Sequence, residues 1–251
     1  MPTFLGSLGV AQWIALMLTA ALIGINKAGL EGASIIAIPI MAGAFGARES
    51  SAIIMGIMIV SDWAALWKYH AHADLKILLR TLPAAIAGIA LGTLVGKNMP
   101  EETFKFVVGI LIMISAALMF IREMRGSRFT LPERRYIAIP LGLLTGFSSM
   151  VGNAGGPLFG LFLLSSGLLK NNLIGTTTWF FAIINGIRLP LNIFIWHTFT
   201  LSTLKLVLLA APLALVSVFA GARLVQKIPE KPYRYFRLAA IVVGGIYLLA
   251  G

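Results

Sequence analysis

Residues 76–102 read KILLRTLPAAIAGIALGTLVGKNMPEE, and residues 205–231 read KLVLLAAPLALVSVFAGARLVQKIPEK. Side by side they pair Lys76 with Lys205, Pro83 with Pro212, Gly92 with Gly221 and Pro100 with Pro229, all at an offset of 129. A self-match held at one offset marks a duplicated chain. Upstream the offset is 123, pairing Gly29 with Gly152, Gly32 with Gly155 and Asp62 with Asn185. About six extra residues therefore lie in the second copy, around LNIFIWHTFT at 191–200.

What is duplicated is a membrane chain. Of 251 residues, 59% are hydrophobic and 12% charged, with a mean hydropathy of +0.92, too apolar for a domain with a water-facing surface. Its surroundings are the lipid bilayer. The net charge of +11 reads as topology signals at the ends of spans, and no nucleic-acid partner is expected. Cysteine is absent, which excludes disulfides, thiolate metal sites, iron–sulfur clusters and cysteine nucleophiles. The first positive side chain is Lys27, so no basic n-region precedes the first apolar run and a cleaved signal peptide is not expected.

Ten apolar segments follow, at about 4–25, 33–46, 50–67, 75–96, 103–121, 136–149, 156–169, 172–196, 201–225 and 233–250, with the second, sixth and seventh short of a full span. The fold class expected is an all-α polytopic membrane protein with two five-segment repeats. A single permease domain covers 1–251: repeat one at about 4–121, a basic connector at about 122–135 (REMRGSRFTLPERR) and repeat two at about 136–251. An odd number of crossings per copy turns the second copy upside down. Charge agrees, since fourteen of the 20 Lys and Arg residues lie in odd-numbered connections. Only Arg48, Lys97, Lys105 and Lys205 lie in even ones, and Arg188 and Arg223 lie inside segments. The positive-inside rule then puts the odd connections in the cytoplasm and both termini outside. An inverted repeat of this kind is the usual build of a secondary transporter.

Between a segment and the short one after it stand GINKAGLEG (24–32) in copy one and GFSSMVGNAGGP (146–157) in copy two. Glycines interrupt the apolar pattern there, as in the paired helix breaks that mark a transporter's binding site. Backbone groups freed at a break need partners inside protein or in a water-filled cavity, because lipid has none. Each following short helix begins with small residues, and Pro157 suits a first helical position, so backbone N–H groups and a positive dipole end can face a small anionic substrate. Substrate-binding candidates are Lys27, Gly29, Gly32, Ser148, Ser149, Asn153, Gly155 and Gly156. The plainer alternative has Lys27 snorkelling to the surface and the glycines only letting helices pack closely.

Arg188, in NGIRLP, is an intramembrane ionisable group and hence a functional candidate. Its planar fork donates two parallel hydrogen bonds to a sulfonate or carboxylate. The alternative is a structural partner for Asp62. Asn185, one turn earlier, can donate to the same ligand. Asp62 either pairs structurally or carries a coupling proton, and the sequence does not separate the two.

The order GINKAGLEG, SDWAALWKY, LPAAIAGIALG, GFSSMVGNAGGP, LLKNNLIGTTTWFFAIINGIRLP and AAPLALVSVFAGARL resembles the sulfite exporter TauE/SafE family of transmembrane permeases over nearly the whole chain. The best markers are K-x-G after the first helix, the N-A-x-G-P break, and G-T-x-x-x-F-F-x-x-x-N followed by R-x-P. The resemblance implies a multi-pass permease of the cell's inner (cytoplasmic) membrane. It also implies an organosulfur substrate such as sulfite or a sulfonate (sulfoacetate, for example), whereas composition and spacing imply only a small anion. Glu31 departs from the small residues expected beside those glycines. It lies one turn from Lys27, where it could partly neutralise the site, and with Asp62 it is a coupling candidate.

No metal site is expected: His70, His72 and Asp74 in HAHAD lack a fourth ligand nearby and read as a solvated loop. His197 is expected at the outer interface beside Trp196. No Ser/His/Asp set, phosphate loop or catalytic carboxylate pair occurs, so neither an enzyme nor a cofactor is expected. The function implied is secondary transport of a small anion by alternating access, with export as the direction the family name suggests. The alternative is a passive anion channel.

Overall fold

The structure, a computed structural model, describes residues 8–29, 33–125, 134–164, 166, 168 and 170–227. Glu31, Gly32, part of the basic connector and the expected tenth segment lie outside the described residues. Within them are nine α-helices and no strand: α1 (Val10–Lys27), α2 (Ala33–Phe45), α3 (Ala47–Tyr69), α4 (Leu75–Lys97), α5 (Glu101–Arg125), α6 (Arg134–Gly152), α7 (Gly155–Leu164), α8 (Lys170–Phe194) and α9 (Leu201–Lys227). Four helical stretches, Val10–Lys27, Ala47–His72, Leu75–Lys97 and Leu201–Leu224, are long and apolar enough to cross a membrane. α2, α7 and the apolar part of α6, Ala138–Gly152, are short, as expected, although α6 as a whole helix has 19 residues. The run of large apolar residues stops near Phe147, yet Ser148 to Gly152 continue the helix because protein buries them.

Local chemistry sets the ends. Gly46 turns at φ 82, a left-handed conformation open to glycine. Beyond it Glu101 accepts from the Ala47 and Arg48 backbone N–H groups at 3.1 and 3.3 Å, supplying a cap that α3 lacks from its own sequence. Asp74 caps α4 by accepting from the Ile77 N–H at 3.1 Å, and its own N–H donates to Thr176 Oγ1. HAHAD thus forms a packed 3₁₀ turn and helix cap against α8 where the sequence suggested a solvated loop.

α3 is the central helix: it buries 16 of its 23 residues, against 6 of 18 for α1. The outer helices turn large apolar side chains outward, among them Ile14 on α1, Leu79 and Leu94 on α4, Phe106 on α5 and Leu208 and Val216 on α9. That inversion of a soluble surface suits lipid, which offers apolar contact and no hydrogen bonds.

Close contacts give the helix directions. On α4, Gly88 faces Leu143 and Phe147 of α6, and Gly92 faces Phe147 and Met150, so the two helices run parallel. Gly24 of α1 meets Ala214 to Val218 of α9 and Gly221 of α9 meets Ile25 and Ala28, which is parallel again. α3 runs parallel to α9, from Gly56 on Val207 to Trp67 edge-on to Phe219. α4 runs parallel to α8, from Asp74 on Thr176 to Thr93 on Trp196. α3 and α8 are antiparallel, with Asp62 bonded to Asn185 and Met55 to Asn192. Thus α1, α3 and α9 point one way, and α4, α6 and α8 the other. All four parallel pairs, α4 with α6, α1 with α9, α3 with α9 and α4 with α8, join helices from different halves of the sequence. Glycine permits this, because a Cβ at Gly88 or Gly146 would strike the backbone carbonyl of Leu143 or Ala85.

Residues 195–200, within the LNIFIWHTFT stretch, form the α8–α9 turn. Trp196 is buried there, 8% exposed, while its neighbour His197 is exposed at φ 54. The indole donates to the Thr93 carbonyl and meets Phe104 edge-on with ring centroids 5.8 Å apart. Arg48 lies over both rings and donates to the Gly96 and Met99 carbonyls, so one guanidinium ties three connections together.

Candidate functional site

Both expected helix breaks exist. α1 stops at Lys27 and the chain turns through Ala28 and Gly29, whose φ of 112 excludes most side chains. α6 stops at Gly152, and Asn153 takes φ 54, a left-handed conformation that asparagine tolerates better than most residues. α7 then starts at Gly155, which puts Pro157 at its third position rather than its first.

A chain of polar side chains joins the two breaks through the protein interior. Lys27 turns inward and pairs with Asp62 at 2.5 Å, the two side chains being 8% and 1% exposed, and lies over the Phe181 ring at 4.8 Å. The other Asp62 oxygen accepts from Asn185 Nδ2 at 2.8 Å. Asn185 Oδ1 accepts from one terminal nitrogen of Arg188 at 2.7 Å, and Asn153 Oδ1 accepts from the other at 2.7 Å. Asn153 Nδ2 donates to the carbonyl and hydroxyl of Ser51 at 3.0 and 2.9 Å. From Asp62 to Ser51 the chain runs eleven residues along α3, about 16 Å at the helical rise. Asp62 and Asn185, paired at the 123-residue offset in the sequence, are bonded to each other at its middle.

This geometry places two side chains. Lys27 does not snorkel, because its ammonium is held inside by Asp62. Arg188 is not the direct partner of Asp62, because the Asn185 amide stands between them. Arg188, 1% exposed, donates from both terminal nitrogens to neutral amide oxygens, and its buried Nε has no hydrogen-bond partner among the described residues. Among the described residues no carboxylate pairs with it.

The second break supplies further donors. Thr145, Ser148 and Ser149 are buried, with hydroxyls that have no hydrogen-bond partner among the described residues. Ser149 Oγ and the Thr145 carbonyl occupy the space that a Cβ on Gly155 would fill, so those groups lie against the first residue of α7. A helix N-terminus with buried, unengaged hydroxyls beside it is suited to an anion. Gly156 is exposed with open space around it, apart from that cluster.

Ser51 and Asn192 belong to the chain although the sequence reading did not select them. Asn192 follows Asn185 and Arg188 at helical spacing, donates to the Arg188 carbonyl at 3.0 Å, and accepts from Thr198 Oγ1 at 2.9 Å. That period was available in the sequence. Ser51 carried no such signal, since it is one of two adjacent serines near the start of α3.

Thr198 also lines a separate cavity of about 460 Å³ with Arg48, Glu49, Glu101, His197 and Thr203. Two carboxylates make it a poor resting place for an anion. The buried chain is the better site.

A polytopic helical membrane protein with a charged, hydrogen-bonded chain linking two interrupted helices is the class of molecule these features define. Residues 15–248 match the sulfite exporter TauE/SafE family, and the chain belongs to that family of anion transporters. No curated protein and no solved structure matches it.

Proposed function

We propose that this protein is a secondary transporter moving a small organosulfur anion, sulfite or a sulfonate, across the cytoplasmic membrane by alternating access. The observation that carries the reading is Arg188, a buried guanidinium whose fork is held by the amides of Asn153 and Asn185, one at the second helix break and one on the α3–α8 contact. An oxyanion presents the same two acceptors with a charge, so it can replace the amide oxygens on the fork and gain the stronger bonds. The hydroxyls of Ser148 and Ser149 and the N-terminus of α7 supply the other donors.

Alternating access draws on the two halves, about 4–121 and 136–251, as inverted repeats within one permease domain, with both termini outside. The opposed directions of α1 and α6, of α3 and α8, and of α4 and α9 support that arrangement. Rocking one half against the other would move the contacts across the central chain while the anion stays on it.

The test is anion binding to purified protein with Arg188→Lys and Arg188→Ala. Lysine keeps the charge and loses the fork, and alanine loses both, so affinity should fall in the order wild type, Lys, Ala. A charged hydrogen bond contributes about 1.5–3 kcal/mol, roughly one to two decades in Kd. Unchanged binding by Arg188→Ala removes Arg188 from the site and leaves Lys27 and the helix N-termini to carry it.

A further inference from the structure

The described interior holds three ionisable side chains on one polar chain, Lys27, Asp62 and Arg188. Lys27 and Asp62 are in contact and sum to zero wherever a proton between them resides. Among the described residues Arg188 has only neutral partners: Asn185, Asn153 and, through its carbonyl, Asn192. A buried guanidinium facing amides alone is left short by one negative charge, and low-dielectric surroundings make that deficit costly. From this charge balance we infer that the site takes a substrate of single negative charge, and that Asp62 enforces the limit by cancelling Lys27. The inference rests on the anion site proposed above and adds its charge selectivity.

Asp62 is then a specificity-determining residue acting through Lys27. It sits between the ammonium and the Asn185–Arg188 pair, so a second negative charge entering there meets a carboxylate rather than a free cation. Asp62→Asn keeps a side chain of the same shape beside Asn185 and leaves Lys27 unpaired, which raises the net charge of the chain by one. The variant is expected to accept a dianion.

The experiment uses two sulfonates of equal carbon count, ethanesulfonate with one charge and sulfoacetate with two. Binding to the purified protein is measured for wild type, Asp62→Asn, Glu31→Gln, and Lys27→Met combined with Asp62→Asn, with thermal melts reporting folding. Wild type should favour ethanesulfonate. Asp62→Asn should shift the ratio toward sulfoacetate by about tenfold or more, and the double variant should return it to the wild-type side. The double variant also covers the case in which Asp62→Asn alone fails to fold, since a retained preference for ethanesulfonate in a protein lacking both charges is the predicted result. Equal or tighter binding of sulfoacetate by wild type overturns the charge limit while leaving the anion site standing. A shift in Glu31→Gln as large as that in Asp62→Asn also overturns it, because the chain would then supply the counter-charge to Arg188 itself. Binding of neither sulfonate by any of the proteins overturns the anion site and the inference together.

Discussion

Removing Lys27 should damage this protein more than removing Asp62, although the two form one ion pair. Asp62 is 1% exposed and lies seven residues from the end of α3, so in Lys27→Met its carboxylate keeps only the Asn185 bond and cannot reach water. Leaving one partner of a buried pair uncompensated costs about 3–5 kcal/mol. For a chain of this size that is a fall in Tm of roughly 6–20 °C. In Asp62→Asn the orphan is Lys27, at the last position of α1 and 8% exposed, whose ammonium keeps the Phe181 ring beneath it. Its cost should be smaller. In the double variant Lys27→Met with Asp62→Asn neither charge is stranded, and most of the stability should return. The assay is a thermal melt of four purified proteins in one detergent. Additivity of the single changes to within about 0.5 kcal/mol would refute the pair, because residues in contact must show coupling.

The helix packing bears on three further outcomes. Single cysteines at positions 98 and 227, matched by the duplication at the ends of α4 and α9, should react with a membrane-impermeant reagent from opposite sides, and labelling from the same side would sink the inverted arrangement. Gly146→Ala pushes a methyl into the Ala85 backbone carbonyl, where no side chain can yield, and should cost about 1–3 kcal/mol in melts. Gly43→Ala, with open space around it, should be neutral or stabilising by about 0.5–1 kcal/mol, as removing an interior helix glycine ordinarily is.

Much of the bundle was legible from apolar run lengths, because nothing competes with helix formation where lipid is the solvent. Both breaks were legible for the complementary reason, as Gly29 and Asn153 sit where the apolar pattern fails and the backbone does turn left-handed or nearly so. The apolar part of α6 is short, as its sequence suggests, but hydropathy does not register that Ser148 and Ser149 face protein and stay helical. HAHAD was misjudged because polarity alone cannot separate a solvated loop from a turn clamped by Thr176 and packed on Gly175. Of the candidate site, Lys27 and Asn153 stand out at the two glycine breaks, Asp62 and Arg188 as ionisable groups in apolar segments, and Asn185 by its place one turn before Arg188 and its pairing with Asp62 at the 123-residue offset. Their order along one chain was not readable. Whether Asp62 meets Lys27 or Arg188 depends on how α1 and α8 rotate against α3, and that is fixed by glycine contacts far apart in sequence.

The central claim is carrier-mediated transport of an anion, and exchange in proteoliposomes tests it most directly. Vesicles holding the purified protein and preloaded with unlabelled sulfite should take up labelled sulfite faster than empty ones, at a rate that saturates with outside concentration and falls in Arg188→Ala. Uptake that rises linearly without saturation and ignores the internal load would contradict alternating access and identify a passive pore.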